Sequence, residues 1–233
     1  MKDDSDNLSF EEICTHFGED PERYMGSVVP PIFQNSLFTA PSVEALSRQG
    51  ERYIYTRESN PTIDILNAKI AAMEGADEAR CFASGMAAIS AALMSQLRSG
   101  DHVVCVKNVY YPARVLLQDY LRRFGVEVSF VHGTSVEDFE RAIRPNTRVF
   151  YLESPTSINL WLQPLEEVCA LARSHNIVTI IDNTWATPIF QRPLQLGVDI
   201  VVHSASKYLS GHSDVIAGVV CTSRQHIEAV HRE

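Results

Sequence analysis

Lys207 lies in the run VVHSASKYLSGHSD, residues 201–214. An apolar stretch leads into Ser204, Ala205, Ser206 and Lys207, and a Gly-containing turn follows. Burying an ammonium at the end of an apolar strand is costly. A Schiff base with a carbonyl cofactor would remove that fixed charge. The competing reading is a lysine whose head snorkels to solvent. Asp182 ends a second apolar stretch, in TIIDNTWATP. A carboxylate there could hold a proton on a pyridine nitrogen and keep a pyridoxal ring cationic, as an electron sink needs. It could equally cap the next turn. Thr184 could bring a hydroxyl to the same ring, or close the turn. In CFASGMA, residues 81–87, a strand passes into a helix, and Gly85 and Met86 would offer free backbone N–H groups to a phosphate. Most such glycines only relieve a turn. Ser204 and Ser206 could add hydroxyl donors. Tyr110 could stack on a flat cofactor, or pack in a rim. Tyr55 and Arg57, in YIYTRESNPT, could clamp a phosphate through the guanidinium fork; a solvated loop Arg is the alternative. Glu153 is read as orienting a loop or as solvated.

These residues need a scaffold with several strand ends side by side. The sequence predicts strands over Ala79–Ala83, His102–Val106, Val126–Val131, Arg148–Glu153, Ile177–Asp182, Asp199–His203 and Val215–Val220. Helices are expected over Met86–Leu97, Pro112–Phe124, Ser135–Ile143 and Leu165–Ser174, with Ser135 and Asp138 as an acidic capping box. Gly100 and Gly125 follow helices, where a left-handed residue is often needed. Upstream, a short helix is expected from Phe10 to Phe17. Another runs from Pro41, as its first residue, to Ser47. A third starts at Asn60-Pro61 and runs to Gly75. Several strands are apolar throughout, so both faces of the sheet are covered: an α/β fold with a mainly parallel sheet and helices on both faces. In such sheets ligands sit outside the carboxyl ends of the strands, where Ser84, Tyr110, Glu153, Asp182 and Ser204–Lys207 collect.

Composition narrows the function classes. The chain has 233 residues, 45% apolar and 21% charged, with 20 basic and 29 acidic residues and a net charge of −9. No basic stripe appears, which argues against a nucleic-acid partner. The five cysteines have no CxxC spacing and the eight histidines share no ligand spacing, so no metal is expected. An odd, scattered cysteine set fits a reducing compartment. The acidic start lacks an apolar signal-peptide core, and no apolar run reaches membrane-spanning length. The expectation is a cytoplasmic protein without a membrane partner. Residues 26–38 are uncharged and too apolar for a free tail; they pack on their own domain or cross to a partner.

Taken in order, YTRESNPT, ASGMAA, ESPTS, DNTWATP and SASKYLSGHSD resemble the Cys/Met-metabolism enzymes that depend on pyridoxal 5'-phosphate, from about residue 20 onward. The resemblance implies the large domain of the fold-type I transferases, with a mostly parallel seven-stranded sheet. It implies Lys207 as the Schiff-base and proton-shuttling residue, Asp182 on the pyridine nitrogen and Tyr110 on the ring. Gly85, Met86, Ser204 and Ser206 would hold the phosphate, completed by Tyr55 and Arg57 in an adjacent subunit of a homodimer or homotetramer. It implies an amino-acid substrate. ESPTSI, YYPAR and DNTWA are similar to the bacterial cystathionine β-lyase branch, giving β-elimination of cystathionine, with γ-synthase or γ-lyase chemistry as the alternative. Ser157-Ile158 replaces the Asn-Pro of many members, and no cysteine follows Tyr110 as it does in methionine γ-lyases. An N-terminal arm over 1–50 and a cofactor-binding domain over 51–233 are expected. The family's C-terminal domain, with its carboxylate-binding Arg, is expected to be absent, so an inactive cofactor-binding or assembly fragment is a further alternative. An unrelated α/β phosphate binder is the remaining one.

Overall fold

A computed structural model describes residues 7–47 and 52–233. The chain forms two compact units, residues 1–72 and 73–233. In the first, helix Phe10–His16 starts on a complete capping box: Ser9 Oγ accepts from Glu12 N–H and the Glu12 carboxylate accepts from Ser9 N–H. Lys69 Nζ donates to the Cys14 and Thr15 carbonyls, satisfying the helix end, and pairs with Glu19 at 2.5 Å. The helix expected to begin at Pro41 is shorter, Val43–Leu46. Ser42 caps it by accepting from Ala45 N–H, which leaves Pro41 outside. Helix Pro61–Glu74 starts at the expected proline.

The second unit is built on a seven-stranded sheet: β1 Glu78–Phe82, β2 His102–Val106, β3 Glu127–Val131, β4 Thr147–Glu153, β5 Val178–Asp182, β6 Ile200–His203 and β7 Gly218–Thr222. Their order is β1-β7-β6-β5-β4-β2-β3. Of the six neighbouring pairs, β7 is antiparallel to both β1 and β6, and the other four are parallel. β1 therefore runs in the same direction as β6. The carboxyl ends of β1, β2, β3, β4, β5 and β6 lie along one edge, together with the amino end of β7. Every residue of β2, β6 and β7 is buried. Helix Gly85–Gln96 packs on the central strands and helix Leu165–Ser174 packs on β5. Burying a Val or Ile side chain contributes about 1.5–3 kcal/mol, so this double coverage is what the unbroken apolar strands record.

Three local expectations are corrected. β7 begins at Gly218, not Val215. Ser206 N–H donates to the Ala217 carbonyl and Ala217 N–H donates to Ser206 Oγ, which draws the preceding residues off the sheet and leaves Ile216 exposed. The helix expected over Pro112–Phe124 is an α-turn, Tyr111–Val115, then a π-turn, Leu116–Tyr120, and a 3₁₀ turn, Leu121–Phe124. Ser135 makes no capping bond to helix Val136–Glu140; Asp138 instead accepts from Gly133 N–H. Gly100 and Gly125 are left-handed as expected.

Candidate active site

β2 and β4 are neighbours, while β3 leaves to the far side of β2. Crossovers diverge there, the point outside the strand ends at which open α/β sheets take their ligands. Tyr110 follows β2 and is 43% exposed, and its N–H donates to Glu153 Oε2 at 2.7 Å. Glu153 ends β4. Its other oxygen accepts from Ser157 N–H and from the Ser157 hydroxyl, both at 2.6 Å. Glu153 is therefore neither solvated nor idle; it ties the β2 exit to the β4 exit.

Glu153 stands in register with Asp182 on β5. Register partners in a parallel pair share a face, so the two carboxyls are neighbours. Burial, then the charge of Asp182, pushes Glu153 up to about 7, against the pull of its Ser157 and Tyr110 hydrogen bonds. Asp182 is also held above the ordinary carboxylate range by burial, opposed by its bonds to Thr184 and by His203. Thr184 N–H donates to Asp182 Oδ1 at 3.0 Å, and Thr184 Oγ1 accepts from Ser204 N–H at 2.7 Å. Tyr151 lies on the same face two residues before Glu153, with its hydroxyl buried and without a hydrogen-bond partner.

Ser204 lies against the start of helix Gly85–Gln96. A Cβ on Gly85 would sit 2.7 Å from Ser204 Cβ and Oγ, so only glycine lets the helix come this close. Ser84 caps the helix by accepting from Ala87 N–H at 3.1 Å. The first-turn N–H groups of Gly85 and Met86 have no intrahelical acceptor. Lys207 N–H donates to the Ser204 carbonyl at 3.0 Å, and its side chain is exposed. Of the two readings of Lys207, the structure shows the exposed one: the turn after β6 carries the side chain out of the sheet. The Ser206 hydroxyl is engaged with Ala217.

Contacts therefore run without a gap from Tyr110 through Glu153, Asp182, Thr184 and Ser204 to Gly85, with Met86 and Lys207 adjoining. Tyr55 and Arg57 belong to the other unit, where the Arg57 guanidinium lies 4.7 Å from the centre of the Tyr55 ring. Sequence reasoning left Glu153 open; its place at a strand end level with Asp182 was the available signal. Among the described residues no His, Cys, Asp and Glu cluster could hold a metal, and no helix is long and apolar enough to cross a membrane.

The chemistry of this set fits a pyridoxal phosphate group. The helix start suits an anion, and a buried carboxyl steadied by Thr184 suits a cationic ring nitrogen. Fold and site together are those of an α/β sheet with a candidate phosphate-cofactor site at its strand ends. The sequence profile described as "Cys/Met metabolism PLP-dependent enzyme" matches residues 11–232, and the chain belongs to that family, whose cofactor is pyridoxal 5'-phosphate. It is 47% identical to an L-methionine gamma-lyase of Fusobacterium nucleatum subsp. nucleatum, over 86% of this chain and 52% of that protein. It is 42% identical to a probable cystathionine gamma-synthase of Herpetosiphon aurantiacus, over 95% of this chain and 68% of that one. The structure is similar to that of metB from Corynebacterium glutamicum, with a TM-score of 0.93 and 35% identity, over 98% of this chain and 59% of that one. The chain spans about half the length of most of these curated relatives.

Proposed function

We propose that the protein to which this chain belongs is a pyridoxal-phosphate-dependent carbon–sulfur lyase or transferase that acts at the γ-carbon of a sulfur amino acid. The observation that supports this best is the unbroken run of contacts at the strand ends, in a chain matched along nearly its whole length by the family. Lys207 would attach the cofactor and carry a proton on Nζ to and from the substrate. Asp182 would supply the counter-charge for the ring nitrogen, with Thr184 fixing its carboxyl. Tyr110 would cover the ring, held by Glu153. Gly85, Met86 and Ser204 would bind the phosphate, with Ser206 shaping the turn beside it. Tyr55 and Arg57 would complete the phosphate site across a homodimer, itself paired into a homotetramer in the cytoplasm. The bound cofactor supplies an electron sink for charge that develops at the substrate α-carbon.

The γ-carbon reading replaces β-elimination as the main one because the relatives are named as γ-enzymes: methionine gamma-lyases, a probable cystathionine gamma-synthase, and a cystathionine gamma-lyase of Bacillus subtilis at 41% identity. One observation favours the β reading. Ser157, where many members carry Asn, gives both its N–H and its hydroxyl to Glu153. Cystathionine offered to the purified protein decides between them. Release of 2-oxobutyrate is expected; pyruvate would overturn the γ reading in favour of β. Cofactor absorption without turnover would mark this chain as the cofactor-binding part alone, the reading that an arm over 1–50 and a domain over 51–233 allow.

A further inference from the structure

Glu74 and His203 are 129 residues apart in sequence, and both side chains are fully buried. His203 Nε2 donates to Glu74 Oε1 at 2.5 Å. Asn183 Nδ2 donates to the same oxygen at 3.1 Å and to the Gln191 carbonyl at 2.9 Å. Gln191 Nε2 donates to Asn183 Oδ1 at 3.0 Å and to the Ser154 carbonyl at 2.8 Å. This lattice holds His203, Asn183 and Ser154, each adjoining a residue of the candidate site: Ser204, Asp182 and Glu153.

Side chains alternate between faces along a strand. Asp182 pairs in register with Val202. Asn183 and His203, each one residue further on, therefore belong to the opposite face. Asn183 N–H donates to the Val202 carbonyl at 2.9 Å, which locks the two strand ends in step. His203 opposes the effect of burial on Asp182. Apolar side chains of similar volume would fill this space without desolvating a carboxylate, so packing does not account for the pair. A fastener would also be saturated, yet Glu74 Oε2 and His203 Nδ1 are buried without a hydrogen-bond partner.

We propose that Glu74 and His203 are a positioning pair behind Asp182: they set the charge and aim of its carboxyl toward the ring nitrogen of the cofactor. This rests on the reading of Asp182 given above. The pair touches neither substrate nor cofactor; it acts through the Asp182 carboxyl.

The test compares cofactor affinities of Glu74→Gln and His203→Gln, both of which keep a donor–acceptor contact and break up the ionisable pair. Two probes are used: pyridoxal 5'-phosphate, and its analogue with the ring nitrogen replaced by CH. The unmodified protein is expected to prefer pyridoxal phosphate. Each substitution should weaken pyridoxal phosphate binding about tenfold and change analogue binding far less. In an Asp182→Asn background neither substitution should change the ratio. Equal weakening for both probes, or no weakening, would overturn the proposal while leaving the role of Asp182 intact. Equal affinity of the unmodified protein for both probes would overturn the role of Asp182 and the proposal with it. Should one variant fail to fold, the other carries the comparison.

Discussion

Replacing Glu153 by Gln separates the charge of this residue from its hydrogen bonding. Glu153 is 6% exposed and accepts three hydrogen bonds. Burial and the neighbouring Asp182 raise it from an ordinary 4.5 to about 7. That rise amounts to about 3 kcal/mol, at roughly 1.36 kcal/mol per unit. Because the folded value is the higher one, the native state binds the extra proton. Its stabilising contribution is complete below pH 4.5 and is lost as the pH rises through 7. Gln cannot ionise, so this loss disappears in the variant, together with part of the burden on Asp182. In exchange, one amide nitrogen faces either the Tyr110 N–H or the Ser157 donors, and a buried donor loses its acceptor at a cost of about 1–3 kcal/mol at every pH. Urea unfolding of the cofactor-free protein from pH 5 to pH 8 reads the balance. Glu153→Gln should be the less stable protein at pH 5, and the gap should close or reverse by pH 8. Titrating groups other than Asp182 are common to both proteins and cancel in the difference. A gap that stays constant from pH 5 to pH 8 would refute the reasoning.

Two further outcomes are expected. In Gly218→Ala the new Cβ would overlap the Ser84 carbonyl oxygen, which is backbone and cannot swing aside. The variant should lose about 1–3 kcal/mol in denaturant unfolding, and its affinity for inorganic phosphate should fall if the helix start at Gly85 is displaced. Burial holds His102 down to about 4, between Thr147 Oγ1 at 2.8 Å and Ser129 Oγ at 2.9 Å. Its neutral form supports the fold above pH 6.5, and about 3 kcal/mol of that support is lost as the pH falls through 4. His102→Gln should flatten the acid limb of the stability profile; an unchanged limb would rule out His102 as its source.

Much of the architecture is legible in the sequence because apolar runs and glycine punctuation are local signals. All seven strands overlap the segments predicted for them, and helix Leu165–Ser174 matches its expected bounds. What escapes is set by contacts between distant residues. The start of β7 is decided by Ser206 gripping Ala217, and nothing in VIAGVV reveals that grip. The antiparallel course of β7 follows from its pairing with β1 and β6, not from its composition. At the site, the motif residues of the second unit are joined by contacts, and of the two placements open for Lys207 the side chain takes the exposed one. Glu74 and His203 carry no local mark of their pairing. Each is an ordinary residue at the end of an element until the fold brings the ends together.

Consecutive residues at the end of β5 serve separate compartments, since Asp182 and Asn183 project to opposite sides of one ribbon. The length of that ribbon therefore works as a counter with a step of one. Deleting Ile181 would leave hydrophobicity and propensity almost untouched, yet it would exchange the two destinations, sending the carboxyl toward Glu74 and the amide toward Glu153. Substitution can be graded along this stretch; insertion or deletion cannot. The spacing from Val178 to Asn183 is thus fixed even where its side chains are not.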